Sequence, residues 1–306
     1  MTNEEKIKRD LDFSGVTKWH SAGFKGKGVN ILNLEDEGSD HSDKSYNVCK
    51  WVAPESTIFR AGIEFGSNAT SISKHLIKDG AMSYDIEEYI KTNKIKIITF
   101  SMQGTVNPSN VVKEYWKDLQ KRYNLIIFNS AGNNGADDTV GTPFSFETSM
   151  IIGAVMLLNG TTPTKTNYSS VGDELDFMGL TMFYEGTSFS CPFVASMSAL
   201  LIGRYGDMSF QEIYNYLQSI SLDLGNKGDD TWYGWGMPIM PDVAKKYITL
   251  TIGSNDMYVD GVKETLDTTP IIDKFGRTLV PIRRPMEALG HKVDWIASEK
   301  KVCIYE

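Results

Sequence analysis

Ser188 lies in Gly186-Thr187-Ser188-Phe189-Ser190-Cys191-Pro192, at the head of a mostly apolar, small-residue stretch running to Tyr205. That stretch predicts a central helix over 188–205. A serine at such a helix start meets unpaired backbone N–H groups, which favour developing negative charge. Gly186, Ser190, Cys191 and Ala195 are small enough to let the helix pack close beneath a sheet. Pro192 fits the first turn, where a missing N–H costs nothing. The same local chemistry suits a plain helix cap, so the serine needs partners before it can be more. A hydroxyl becomes a nucleophile when a base takes its proton and a carboxylate orients the base. The chain has four histidines, His20, His41, His75 and His291, and a carboxylate pair, Glu35-Asp36, follows an apolar run. Asn133 stands in Asn129-Ser130-Ala131-Gly132-Asn133-Asn134-Gly135. Taken alone, these are turn residues after a strand.

The elements that must position these groups alternate. Short apolar runs predict buried strands at Val29–Leu34, Ser56–Ala61, Ile95–Phe100, Leu125–Asn129 and Met150–Met156. Amphipathic stretches between them predict helices at Ser71–Lys78, Tyr84–Lys91, Val111–Tyr123 and Phe210–Ser219. Strand and helix in alternation argue for βαβ units and a parallel sheet. Near residue 247 the texture changes. Short strands are expected at Ile248–Ile252, Met257–Val259, Thr278–Pro281, Val293–Ile296 and Val302–Tyr305, with one short helix at Arg284–Leu289. Residues 1–247 and 248–306 are therefore read as two domains, the second small and α+β.

The longer pattern Gly-Thr-Ser-x-Ser-Cys-Pro-x-Val-Ala resembles the serine motif of the subtilase family, usually Gly-Thr-Ser-x-Ala-x-Pro-x-Val-Ala. The resemblance implies an α/β fold with a subtilisin-like, seven-stranded parallel sheet flanked by helices, and Ser188 as nucleophile. Ala131-Gly132-Asn133 looks like the segment that supplies the family's oxyanion-hole asparagine. Asn133 would then donate its amide to the tetrahedral oxygen, with Ala131 and Gly132 beside the substrate. Phe100-Ser101-Met102-Gln103-Gly104 resembles the Ser-Leu-Gly strand end that pairs with substrate backbone and lines the specificity pocket. Ser101, Met102 and Gln103 are the substrate-binding candidates. Gln103 stands where glycine is usual, so a narrower or more polar pocket is expected. Tyr233-Gly234-Trp235-Gly236-Met237-Pro238 resembles the segment that closes the domain. The likeness spans roughly residues 13 to 246.

Base and acid follow from the same resemblance. His20 lies in a segment that looks like a non-catalytic stretch subtilases share. His75 falls in an expected helix and His291 in the C-terminal module. His41 precedes Val52-Ala53-Pro54, as the family's His-Gly-Thr helix start precedes Val-Ala-Pro, so the resemblance implies His41 as the base. Ser42-Asp43 replaces the usual Gly-Thr. Asp36-Glu37-Gly38 fits the family's Asp-x-Gly acid motif and favours Asp36. An ungapped count from His20 puts Glu35 there instead, and both stay open.

Met257–Lys263, Arg277–Arg283 and Ala288–Trp295 resemble the small domain named after the N-terminus of copper amine oxidases. No His/Cys cluster with ligand spacing accompanies it, so no copper is implied. Binding of a protein partner or assembly is the role the resemblance suggests for it, with a purely structural appendage as the equal alternative.

The 306 residues carry a formal net charge of -8, which argues against nucleic acid as a partner. The N-terminus has no basic start followed by an apolar stretch, and no run reaches bilayer-spanning length. A cytoplasmic protein with no membrane role is the expectation, and three widely spaced cysteines suggest reduced thiols rather than disulfides. Lys, Ile and Asn richness suggests a bacterial or phage genome. No stretch long enough for an inhibitory prodomain precedes the family likeness, as in intracellular members. Calcium is frequent in the family, but no ligand set can be placed for it, and no cofactor is required for the chemistry. The leading expectation is a serine endopeptidase cutting a protein or peptide. The runner-up is a pseudoprotease that binds protein on the same scaffold. A third reading is an interaction protein acting through residues 248–306.

Overall fold

The computed structural model describes residues 1–35, 39–63, 75–78, 82–101, 109–135, 140–142, 144, 146–243, 248–260 and 262–305. Two compact units result: Met1–Gly203 with Asp207–Asp242, and Arg204–Gly206 with Val243–Glu306.

The first unit begins with α1 (Asn3–Phe13) and α2 (Val16–Ser21). The alternating part follows as β1 (Asn30–Leu34), α3 (Asp40–Val52), β2 (Thr57–Ile63), β3 (His75–Lys78), β4 (Met82–Asp85), α4 (Ile86–Thr92), β5 (Ile97–Phe100), α5 (Asn110–Tyr123) and β6 (Ile126–Ser130). It closes with β7 (Ser149–Leu158), β8 (Thr162–Lys165), β9 (Phe177–Leu180), α6 (Thr187–Tyr205), α7 (Phe210–Ser219) and the short pair β10 (Ser221–Leu222) and β11 (Met237–Pro238). Strands β2-β1-β5-β6-β7-β9 lie side by side and parallel. Antiparallel β3 and β4 extend the sheet beyond β2, and β8 pairs antiparallel with β7. The expected parallel, helix-flanked architecture is thus present. Its central strands read as near-continuous apolar runs because both faces are covered.

Alternation decides which side chains meet which helices. Leu32, Leu34, Ala61, Ile98, Phe100 and Ile127 share one core cluster with Ile86, Tyr89 and Ile90 of α4 and Val112, Trp116 and Leu119 of α5. Residues one step along the strands, Asn33 and Thr99, turn to the other face, where Asn33 bonds Ser45 of α3 and Thr99 meets Cys191 of α6.

Two sequence expectations are corrected. Residues 75–78 form a strand, not part of a helix, because Leu76 and Ile77 pair with Ile63 and Gly62 of β2; residues 71–74 lie outside the described set. Tyr84 belongs to β4, and the helix expected from it starts at Ile86, where Asp85 caps it by accepting from Glu88 N at 2.9 Å. Helix α1 went unread although Thr2 and Glu5 form a capping box, a signal legible as Thr-x-x-Glu.

Two enclosed carboxyls give the fold a pH signature. Burial raises Asp10 to about 6, against the opposing pull of Arg9. Burial raises Asp176 to about 7, although it accepts from Ile151 N at 2.7 Å. In both, the folded state holds the proton more tightly than the unfolded chain. Their stabilisation is complete below about pH 4 and is lost as pH rises through 6 and 7. His20, lowered by burial, works in the opposite direction over part of that range. The difference between Asp176→Asn and wild type isolates one group. The variant should gain on wild type by on the order of 2 kcal/mol between pH 5 and 8 in urea unfolding. A flat difference would show that Asp176 is ionised without cost.

The second unit holds β12 (Ile248–Leu250), β13 (Asp256–Val259) and β14 (Val262–Thr265) as an antiparallel sheet. Hairpin β15 (Ile271–Ile272) with β16 (Thr278–Leu279), helix α8 (Arg283–Ala288) and hairpin β17 (Lys292–Ile296) with β18 (Lys301–Tyr305) complete it. Among the described residues Met257, Leu266, Pro270, Pro285 and Val293 are buried in it. Strands β14 and β15 went unread from sequence.

Candidate active site

Parallel α/β sheets present ligand sites at the carboxyl ends of their strands. Glu35 sits one residue beyond β1, and its N–H continues the ladder by donating to Ala61 O at 2.9 Å. It has the same strand parity as Asn33, so it turns toward α3. There its Oε2 lies 2.9 Å from His41 Nδ1. Glu35 is 3% exposed, and its Oε1 is buried without a hydrogen-bond partner among the described residues. His41 is the second residue of α3, which Ser39 caps by accepting from Ser42 N at 3.1 Å. The imidazole remains 44% exposed, open to solvent on one side. Asp36 lies outside the described residues, as do Met102 and Gln103.

The imidazole packs against Phe189, ring centroids 5.2 Å apart, and so lies beside the residue that follows Ser188. Ser188 is the second residue of α6 and 6% exposed. Its hydroxyl donates to Ser101 O at 2.9 Å, and the Ser101 hydroxyl donates back to Ser188 O at 2.9 Å. Pro192 explains the second bond. It stands inside α6, not in the first turn as expected. Having no N–H, it cannot serve the carbonyl four residues earlier, which is that of Ser188. Ser101 at the end of β5 supplies the missing donor. Gly179 lets α6 come this close, because a Cβ there would meet Ser190 O at 2.5 Å.

Asn133 follows β6. Its Oδ1 accepts from Thr187 N at 2.9 Å and Thr187 Oγ1 at 3.2 Å. With the oxygen so engaged, the amide nitrogen is left to point away, and the vacant Cβ position of Gly186 lies 3.8 Å from it. Gly186 itself has φ 130°, which side-chain-bearing residues rarely adopt. Gly132 N donates to Thr187 Oγ1 at 3.1 Å, tying the Ala131-Gly132 segment to the same helix start.

Two buried thiols lie near this centre, and neither competes as a nucleophile. Burial pushes both Cys49 and Cys191 up to about 12, far from the thiolate form at neutral pH. Among the described residues no three His, Cys, Asp or Glu side chains gather as a metal site, so no calcium is placed. No described helix is long and apolar enough to cross a membrane.

Glu35, Ser101 and Asn133 thus follow the carboxyl ends of the neighbouring strands β1, β5 and β6, with His41 against Glu35 and Ser188 against Ser101. Sequence reasoning missed Arg60, which lies on β2 against α3. Its Nη2 reaches Ser42 Oγ at 2.8 Å and Asp43 Oδ1 at 2.6 Å. Only the register of β2 on β1 could have revealed it.

Comparison with known proteins bears on the family and the fold. Residues 239–304 match the model of the copper amine oxidase N-terminal domain. Subtilisin NAT of Bacillus subtilis subsp. natto is 25% identical over 261 residues, covering 71% of this chain and 66% of that protein, a little under two thirds. A lanthipeptide protease structure superposes with a TM-score of 0.56 at 15% identity, over 76% of this chain and 93% of that one. Sphericase does so with a TM-score of 0.55 at 16% identity, over 71% and 93%. Residues 38–236, well over half of the chain, match the model of the subtilase family, and the chain belongs to that family.

Proposed function

We propose that this chain is a serine endopeptidase that hydrolyses protein or peptide substrates through an acyl-enzyme on Ser188. The observation that carries the reading is the 2.9 Å contact between His41 Nδ1 and Glu35, with the imidazole packed beside the serine-bearing helix start. Nδ1 donates to Glu35, which leaves Nε2 as the base. On substrate binding the Ser188 hydroxyl turns from Ser101 O to Nε2; catalytic hydrogen bonds often form only in that complex. As Oγ attacks the scissile carbonyl, its proton passes to His41. The carbonyl oxygen becomes an oxyanion and accepts from Asn133 Nδ2, a bond of the kind worth roughly 10² to 10³ in rate. His41 then gives the proton to the leaving amine as the C–N bond breaks. Water repeats the sequence on the ester and frees Ser188. Glu35 stays ionised throughout, holding the tautomer and stabilising the imidazolium. Ser101 and the Ala131-Gly132 segment line the substrate side. No cofactor enters these steps. Residues 248–306 form a separate accessory domain that takes a protein partner.

The test is a fluorophosphonate probe on the full chain, read by peptide mapping. An adduct on Ser188 is expected, together with cleavage of casein. Folded protein that takes up no probe and cuts nothing would replace this reading with a binding scaffold that has lost catalysis.

A further inference from the structure

Buried parallel strands are normally apolar at every position. Here three adjacent strands are polar at one rung. Asn33 of β1 is paired in register with Arg60 of β2 and with Thr99 of β5. Asn33 and Thr99 are fully buried. Each member bonds a helix that carries a catalytic group. Arg60 reaches Ser42 Oγ through Nη2 at 2.8 Å and Nε at 3.3 Å, and Asp43 Oδ1 at 2.6 Å, directly after His41. Asn33 Oδ1 accepts from Ser45 Oγ at 2.9 Å, one helical turn further along α3. Thr99 Oγ1 lies 3.3 Å from Cys191 Sγ, three residues after Ser188 in α6. Two residues up the same face stand Glu35 and Ser101, which touch His41 and Ser188 directly.

We infer that Arg60, Asn33 and Thr99 form a positioning row that sets α3 and α6 so that the His41 imidazole comes to lie beside the helix start that bears Ser188. Stability alone does not explain it. A buried polar group costs free energy unless fully paired, and Asn33 Nδ2 is buried without a partner among the described residues. Branched aliphatic side chains would fill such a rung with no polar atom to satisfy. What a polar rung adds is direction: each bond fixes a helix along its own axis, which apolar contact does not. Arg60 is the member most specific to this arrangement. Its fork engages Ser42 and Asp43 together, the two residues that stand where the family usually has Gly-Thr. The departure from the motif and the arginine opposite it form one clamp.

The inference rests on the proposed triad, and the test separates the two. Inactivation by a fluorophosphonate is followed per folded molecule and split into kinact and KI. The row touches no substrate, so Arg60→Ala should lower kinact about tenfold or more while leaving KI unchanged; displacements of an ångström carry losses of this order. Arg60→Lys should restore part of the loss. A folded Arg60→Ala protein with kinact within about twofold of wild type overturns the inference, even if its melting temperature falls. Should Arg60→Ala fail to fold, the double change Ser42→Gly with Asp43→Ala removes both acceptors on the helix side, and unchanged kinact there overturns it equally. A wild-type chain that is never labelled overturns the triad reading and this inference with it. A labelled wild type with indifferent variants overturns this inference alone.

Discussion

Ser188→Ala and His41→Ala should each remove about six orders of magnitude from kcat, and the double variant should lose no more than either alone. The two residues act on one proton, so once either is gone the other has nothing to do. The residual rate should reflect binding and the Asn133 donor. The fold should survive both changes. Among the described residues the Ser188 hydroxyl bonds Ser101 O, while the reciprocal bond from Ser101 Oγ to Ser188 O uses backbone that alanine retains. Losing it leaves one buried acceptor unpaired, a cost of about 1–3 kcal/mol and a few degrees of melting temperature. His41 is 44% exposed at the start of its helix, where alanine itself is tolerated, but its removal leaves the buried Glu35 carboxylate without the imidazole, so this variant should melt lower than Ser188→Ala. Peptide hydrolysis measured beside thermal melts checks both halves. Losses that multiply in the double variant would mean that serine and histidine serve separate steps.

Glu35→Gln should cost about 10⁴ in kcat with the fold intact. Glutamine fills the same volume, but its amide can present N–H to His41 Nδ1. That favours the tautomer whose proton sits on the nitrogen meant to act as base. It also removes the charge that stabilises the imidazolium during attack. KM should change little, because Glu35 is 3% exposed and reaches substrate only through His41. Asp36→Asn is the matched comparison, and kcat should stay near wild type. If Asp36→Asn carries the loss and Glu35→Gln does not, the acid belongs one residue further along.

The contrast between those neighbours shows what the sequence could convey. The Gly-Thr-Ser segment, the Asn133 turn and the alternation of strand and helix are local patterns, and the sheet and its serine-bearing helix were legible from them. For the acid the sequence left Glu35 and Asp36 both open. Asp36 matches a three-residue motif, whereas Glu35 follows from strand parity, which depends on which residues of β1 face which helix. Leu34 pairs with Ala61 and Phe100 and shares their apolar cluster, so the next residue must face α3. That argument needs the register. The same holds for Arg60, an ordinary strand residue until β2 is laid against β1. His75 was misplaced for a related reason: His-Leu-Ile-Lys suits a helix turn as well as a strand, and only pairing with Gly62 and Ile63 decides. Asp36, Met102 and Gln103 lie outside the described residues.

Pro192 has a mechanical meaning. A helix normally transmits bending along its length through successive backbone bonds. In α6 the link from residue 192 back to residue 188 is missing, and the carbonyl concerned is held by Ser101 of the sheet. The turn bearing Ser188 is thus tied to the end of β5 by two hydrogen bonds as well as to the rest of its own helix. The nucleophile therefore takes its position from the strand as much as from its helix, and shifts with β5 when the sheet shifts.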